Sequence, residues 1–313
     1  MSTTTHPSLN DPTAWVPYRY HPSLAAAVIF LIAFVIATGW HAVILFRRRT
    51  WYYTPFLIGG IFELIGYCGR AVSTGDIWQL GPFIIQSILL LVAPALFAAS
   101  IYIVLGRIIR FTGGEVYSII PLKWLTKAFV AGDVLAFLCQ MGGGGIQAAQ
   151  SSQMFSLGEK LIIVGLFLQV FFFGIFITVA TVWRVRFTRQ SSYQLTAKRD
   201  TLWRRQMWAL YGGSGLIMVR SIFRIVEYLM GNDGYTLRHE YFLYIFDAVL
   251  MFLVMLLFLW IHPSQLTIFG TAEDTSVAME RGSTGPNAQG YQSVRHSVGS
   301  ADKSLLGRFM AGR

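Results

Sequence analysis

The stretch Arg220-Ser-Ile-Phe-Arg224-Ile-Val-Glu227-Tyr228 decides how this chain is read. It lies inside an apolar segment, residues 207–230, that is long enough to cross a bilayer, which takes about 20 residues. Positions i, i+4 and i+7 share one face of a helix, so Arg220, Arg224 and Glu227 form a single charged stripe. A charge at membrane depth costs about 2.5–3.5 kcal/mol even on lenient insertion scales, so such side chains turn toward a protein interior or a wet cavity and find partners there. The stretch therefore predicts a bundle of spanning helices with an internal polar region.

The rest of the chain agrees. Of 313 residues, 54% are hydrophobic and 13% charged, half the charged share of an ordinary globular domain. The mean hydropathy is +0.53. Seven apolar segments reach spanning length, at roughly 22–46, 54–73, 82–106, 124–146, 158–183, 207–230 and 241–261. The expected fold class is all-α, a seven-transmembrane helix bundle. Residues 1–21 form a short N-terminal segment, 22–261 the membrane domain, and 262–313 a tail. From residue 270 onward the tail is rich in Gly, Ser, Gln and Asn and is expected to be disordered. Trp51, Tyr52, Tyr53, Trp78, Trp124, Trp183, Trp203 and Trp260 fall near the segment ends, as an aromatic belt would.

Orientation follows from the basic residues. Of the 25 Lys and Arg, 19 lie in or at the edge of the odd-numbered connections and in the tail, and three (Arg19, Lys160, Arg238) at the other side. The positive-inside rule then puts the N-terminus outside and the C-terminus in the cytosol. It also accounts for the net charge of +10: the runs Arg47–Arg49 and 184–205 read as contacts with anionic lipid head groups rather than with nucleic acid.

Inside the spans the polar candidates are Glu63, Arg70, Gln86, Asp133, Gln140, Arg220, Arg224, Glu227 and Asp247. Glu63 and Arg70 are seven apart, as are Asp133 and Gln140, so each pair shares a helix face. Span directions put Glu63 and Arg220 near the midplane and Arg224, Glu227, Asp247 and Gln86 at one further depth, so a connected network is expected. The four acids among them outnumber the three arginines by one, and desolvation would protonate the spare. These groups are either ion pairs that lock the helices or a polar track that meets a cationic head group or a proton. Pro94 should kink the third span. Gly142 and Gly143 in the fourth, and Gly212 and Gly213 in the sixth, allow close helix approach or local unwinding.

Other chemistries find no footing in the sequence. No Walker A motif, HExxH or Gly-x-Ser-x-Gly element occurs, and the six histidines lack metal-ligand spacing. No cofactor, no metal and no enzymatic activity is expected. Cys68 and Cys139 lie in apolar segments, where filler is the usual role.

The same residues carry a resemblance. Tyr20-His-Pro-Ser, Glu63-x2-Gly66-Tyr67-x2-Arg70, Gln86 with Pro94, Ala98, Ser100, Tyr102 and Gly106-Arg107, then Asp133-x6-Gln140 and Gly165-x3-Gln169 appear in order. Arg220-x2-Phe223-Arg224-x2-Glu227, Gly231, Gly234, Glu240, Tyr244, Asp247 and His262-Pro263 complete the series. Over residues 18–263 the chain resembles the fungal lipid-translocating exporters, the resistance-to-aminocholesterol-like seven-span proteins. The resemblance implies a multi-pass protein of the plasma membrane or an endomembrane. Its partners would be membrane lipids, and it would move sphingoid long-chain bases or related amphiphiles toward the outer leaflet and confer tolerance of toxic lipids or drugs. A seven-span receptor or stress sensor, signalling through its basic cytosolic connections and tail, is the alternative reading.

Overall fold

The structure is a computed structural model that describes residues 16, 18–147, 152–190, 195–231 and 234–266. The chain divides into a unit of Met1–Pro263 and a unit of Ser264–Arg313; only 264–266 of the second are described, a single helical turn. The tail expected to be disordered from residue 270 lies outside the described residues.

Helix α1 (Leu24–Arg48) begins where Ser23 Oγ accepts the Ala26 N–H, and it stops at Arg49 in the left-handed region, φ 51°. That cap satisfies one of the amides a helix start leaves open. Helix α2 (Thr54–Ser73) carries Pro55 in its first turn, where a missing N–H costs nothing. Helix α3 (Leu80–Thr112) ends on Gly113 at φ 67°, a conformation that glycine adopts without strain. Then come α4 (Leu122–Gln147), α5 (Ser152–Gln190) and α6 (Ala197–Leu229). After the short α7 (Tyr235–Arg238), residues 240–260 form one continuous seventh span. It is built from α8 (Glu240–Leu243), a π-helical segment (Tyr244–Val249) and α9 (Leu250–Trp260). Among the described residues seven helices are long and apolar enough to cross a membrane.

Three helices outrun the apolar segments: α3 continues to Thr112, α5 to Gln190, and α6 already starts at Ala197. Hydropathy marks only the part that lipid must cover, whereas helical hydrogen bonds continue wherever the flanking residues are good helix formers. Many arginines assigned to connections therefore stand on helical extensions. Arg184 lies over the Trp208 ring at 5.3 Å, Arg107 over Tyr52 at 3.3 Å, and Arg199 donates to the Phe111 carbonyl near the end of α3.

The helices pack in chain order, α1 against α2, α2 against α3 and so on to α6, with α9 returning to α1 and α3 crossing to α6. Two faces result: the one where α1 begins, called here the N-terminal face, and the opposite one. The outward sides carry Ile29, Ile36, Trp40, Leu138, Phe171 and Trp208, all largely exposed. Such a wall suits lipid contact and not water.

The aromatic belt is only partly found. Trp51, Trp124 and Trp260 are exposed, but Trp183, Trp203 and Tyr53 are buried. Trp183 and Trp203 meet edge to face at 6.2 Å, and each indole N–H has an internal acceptor, Gly114 O and Asp200 Oδ1. The helical extensions of α5 and α6 give them a protein surface to bury against, which a loop would not.

Candidate functional site

At the centre, Arg220 of α6 forms an ion pair with Asp247 of the π-helical segment, both sealed from solvent. Its Nη2 donates to the Leu90 carbonyl of α3 at 2.6 Å. Leu90 is four residues before Pro94, which has no N–H, so this carbonyl lacks its normal helical donor. One arginine thus joins three spans and fills the vacancy that the proline makes. The helix nonetheless runs unbroken through Pro94.

Nearer the N-terminal face, Arg70 of α2 is held by oxygen on several sides. Its Nε donates to the Tyr244 hydroxyl at 3.0 Å, and its Nη2 to the Tyr20 hydroxyl and to Glu240 Oε1, both at 2.8 Å. The guanidinium carbon sits 5.1 Å from the Tyr244 ring centre and 5.6 Å from that of Tyr20, near enough for cation–π attraction. Glu240 also accepts the Ser23 N–H, and Tyr18 donates to Gln86 Oε1 at 2.7 Å. Residues just before α1 are thereby stitched onto α2, α3 and the seventh span. Burial pushes the Tyr18 and Tyr20 phenols up, which keeps both hydroxyls protonated, Tyr18 as a donor to Gln86 and Tyr20 as an acceptor from Arg70.

The remaining candidates do not join these centres into one hydrogen-bonded network. Arg224 pairs within its own helix with Glu227, at 2.6 Å. Gln140 donates to Gln169 of α5 at 3.1 Å. Asp133 accepts the Tyr102 hydroxyl at 2.9 Å inside an aromatic surround, the Tyr102 ring packing on Phe129, Phe173 and Phe176. Glu63 is fully buried and its two carboxyl oxygens have no hydrogen-bond partner among the described residues, although Asp247 and Arg220 lie within electrostatic range.

The charge count changes in consequence. Three acids, Glu240, Asp247 and Glu227, take the three arginines, leaving two, Glu63 and Asp133, with no arginine partner among the described residues. Glu240 begins the seventh span, beside a connection, and a count restricted to span interiors passes over it. Tyr20, Tyr102, Gln169, Glu240 and Tyr244 all belong to the motif series above, which was the available signal. His41, buried on α1 with its Nε2 3.1 Å from the Met255 carbonyl, has no such signal.

The glycines act by letting helices approach. A Cβ on Gly143 would meet the Gly158 carbonyl at 2.5 Å, and one on Gly213 would meet the Phe258 ring at 2.7 Å. On Gly142 the nearest atom would be Leu161 Cδ2 at 3.6 Å, and on Gly212 Leu257 Cδ2 at 3.0 Å. Neither α4 nor α6 unwinds at these positions. Cys68 and Cys139 are both free.

Seven spanning helices with lipid-facing apolar walls and a sealed polar interior define an integral, multi-pass membrane protein. The family description "RTA1 like protein" matches residues 56–269, and the chain belongs to that family. It is 36% identical over 286 residues to Protoporphyrin uptake protein 1 of Saccharomyces cerevisiae, covering 79% of this chain and 91% of that one. Protein RTA1 of the same yeast is 34% identical, covering 84% and 89%. The yeast Sphingoid long-chain base transporter RSB1 is 26% identical, covering 77% and 72%. The resemblance to lipid-translocating exporters is thus borne out at the level of the family. Two of these relatives are named for uptake or transport and none for a reaction. No solved structure matches the chain.

Proposed function

We propose that this chain moves cationic single-chain amphiphiles, sphingoid long-chain bases foremost, from the cytosolic toward the outer leaflet of the plasma membrane. In this reading the N-terminal face is outside, and tolerance of toxic amphiphiles follows from their removal. The observation that carries it is Asp133: an acid in an aromatic surround whose one hydrogen bond among the described residues comes from the Tyr102 hydroxyl. Desolvating a carboxylate costs several kcal/mol, and an ammonium of opposite charge offsets that cost. Beside Asp133 the outward residues Val134, Leu135 and Leu138 of α4, and Val164, Phe167 and Phe171 of α5, are apolar and exposed. An alkyl chain can lie along them in lipid while its amine meets the acid. Glu240 and Asp247, each paired with an arginine of another helix, serve the other role, locking α2, α3, α6 and the seventh span together. The name of the yeast long-chain base transporter supports the substrate class.

The test uses the purified full-length chain in proteoliposomes with a fluorescent long-chain base. Asp133→Asn should slow outward movement roughly tenfold or more, corresponding to a loss of at least about 1.4 kcal/mol. A neutral amphiphile of equal chain length should be moved poorly by both proteins. An unchanged rate for the folded variant would remove Asp133 from the pathway.

A further inference from the structure

The seam between α1, α2 and the seventh span contains buried polar atoms with no described partner. On α2 and the turn before it, Tyr53, Glu63, Tyr67 and Arg70 follow one helical stripe; Thr38 and His41 of α1 face it. The contact is close. A Cβ on Gly60 would lie 2.6 Å from Thr38 Oγ1, the His41 ring is 4.8 Å from that of Phe56, and the Tyr67 ring stacks on Phe34 at 5.3 Å. The Tyr53, Thr38 and Tyr67 hydroxyls, both Glu63 carboxyl oxygens, His41 Nδ1 and Arg70 Nη1 are all buried and lack a hydrogen bond among the described residues. Protein interiors leave few such atoms, and each calls for a bound water or ion. Seven in one seam form a column. From Tyr53 to Arg70 it runs about 25 Å at 1.5 Å per residue, close to the hydrocarbon thickness.

We propose that this column is a proton path across the bundle, with Glu63 as its central carrier and His41 as the next acceptor toward the opposite face. A carbonyl only accepts, so the contact with Met255 O places the ring proton on His41 Nε2 and leaves the buried Nδ1 lone pair without a described partner. A proton added at Nδ1 and released from it restores the neutral ring, and the bond to Met255 is kept throughout. Glu63 takes the same proton onto a carboxyl oxygen and gives it up again. The groups follow one another about one helical turn apart, a gap that one bridging water can span. Charged and titratable neighbours come from every side. Arg220 of α6 and Asp247 of the π-helical segment face Glu63. Tyr244, Glu240 and Tyr20 surround Arg70, and His262 with Arg48 lies at the His41 end. With Glu63, Asp247 and Arg220 all charged the central group carries one net negative charge, which a single proton cancels. Arg70 keeps its proton and is no carrier, so on the N-terminal side the proton passes by the Tyr67 hydroxyl instead. The path stands apart from Asp133 on α4, so proton and amphiphile travel in separate lanes. It rests on the proposed lipid movement only for what the proton drives.

The experiment compares the full-length chain with Glu63→Gln and His41→Gln, which keep size and a donor but cannot carry a proton. Infrared difference spectra of the purified protein between two pH values should show a carboxylic acid band that Glu63→Gln removes. In proteoliposomes loaded with a pH-sensitive dye, a proton gradient should speed the labelled long-chain base. In both variants the driven rate should fall to the rate without a gradient, while downhill movement persists. A titrating band and dye-reported proton flux without lipid movement would keep the proton path and remove the proposed function. Lipid movement indifferent to a proton gradient, driven by a sodium gradient alone, or still proton-driven in Glu63→Gln would overturn the path and leave the proposed function standing.

Discussion

Arg220 Nη2 donates at 2.6 Å to the carbonyl oxygen of Leu90, the backbone acceptor that Pro94 cannot serve. The cost of a proline inside α3 and the cost of an arginine inside α6 are met by one contact. Asp247 supplies the counter-charge from the seventh span. Asp247→Asn should therefore lower stability by about 3–5 kcal/mol, since a buried guanidinium loses its partner. Thermal unfolding in detergent measures it. A paired replacement, Arg220→Met with Asp247→Leu, should cost less than the single change, because no charge is stranded.

Asp133 should behave in the opposite way. Among the described residues its carboxylate has Tyr102 and no arginine, so Asp133→Asn should change stability by less than about 1 kcal/mol while transport falls. Measuring both quantities on Asp133→Asn and Asp247→Asn separates the acid that acts from the acid that holds. Equal destabilisation by the two would assign Asp133 to the scaffold.

Tyr20 and Glu240 tie the segment before α1 to Arg70. Tyr20→Phe removes one hydrogen bond to a charged group, worth about 1.5–3 kcal/mol. The backbone amides of residues 20–23 should then exchange with solvent faster than in the parent, and amide exchange read by mass spectrometry shows it. Amides in α4 and α5 should be unaffected.

The α4–α5 contact depends on the absence of a side chain at Gly143, where a Cβ would approach the Gly158 carbonyl to 2.5 Å. Gly143→Val should cost about 1–3 kcal/mol or more through overpacking. Gly142→Ala, with its nearest neighbour at 3.6 Å, should be neutral or slightly stabilising, since alanine favours the helix. Parallel melting curves of the two variants test the asymmetry between adjacent glycines.

The number of spans and most of the polar set were legible in the chain. Lipid imposes a length and a hydropathy that no tertiary contact alters, so runs such as 82–106 announce themselves. The helical extensions to Thr112 and Gln190 were not legible, because they are stabilised by contacts such as Arg199 on the Phe111 carbonyl. The burial of Trp183 and Trp203 followed from the same extensions. Glu240 appeared in the motif series but not in the count of intramembrane charges, because it stands at the start of a span, where a charge costs little.

Partner choice marks the division. The stripe Arg220–Arg224–Glu227 announced by itself that charges lie inside a membrane bundle, because helical periodicity and the cost of a charge in lipid are local properties. Which acid each arginine takes is not local. Arg224 finds Glu227 three residues away on its own helix, whereas Arg220 finds Asp247 on the neighbouring seventh span, where the chain makes a π-helical turn. Those pairings, and the two acids they leave without an arginine, depend on how helices distant in sequence pack. Only the tertiary structure decided them.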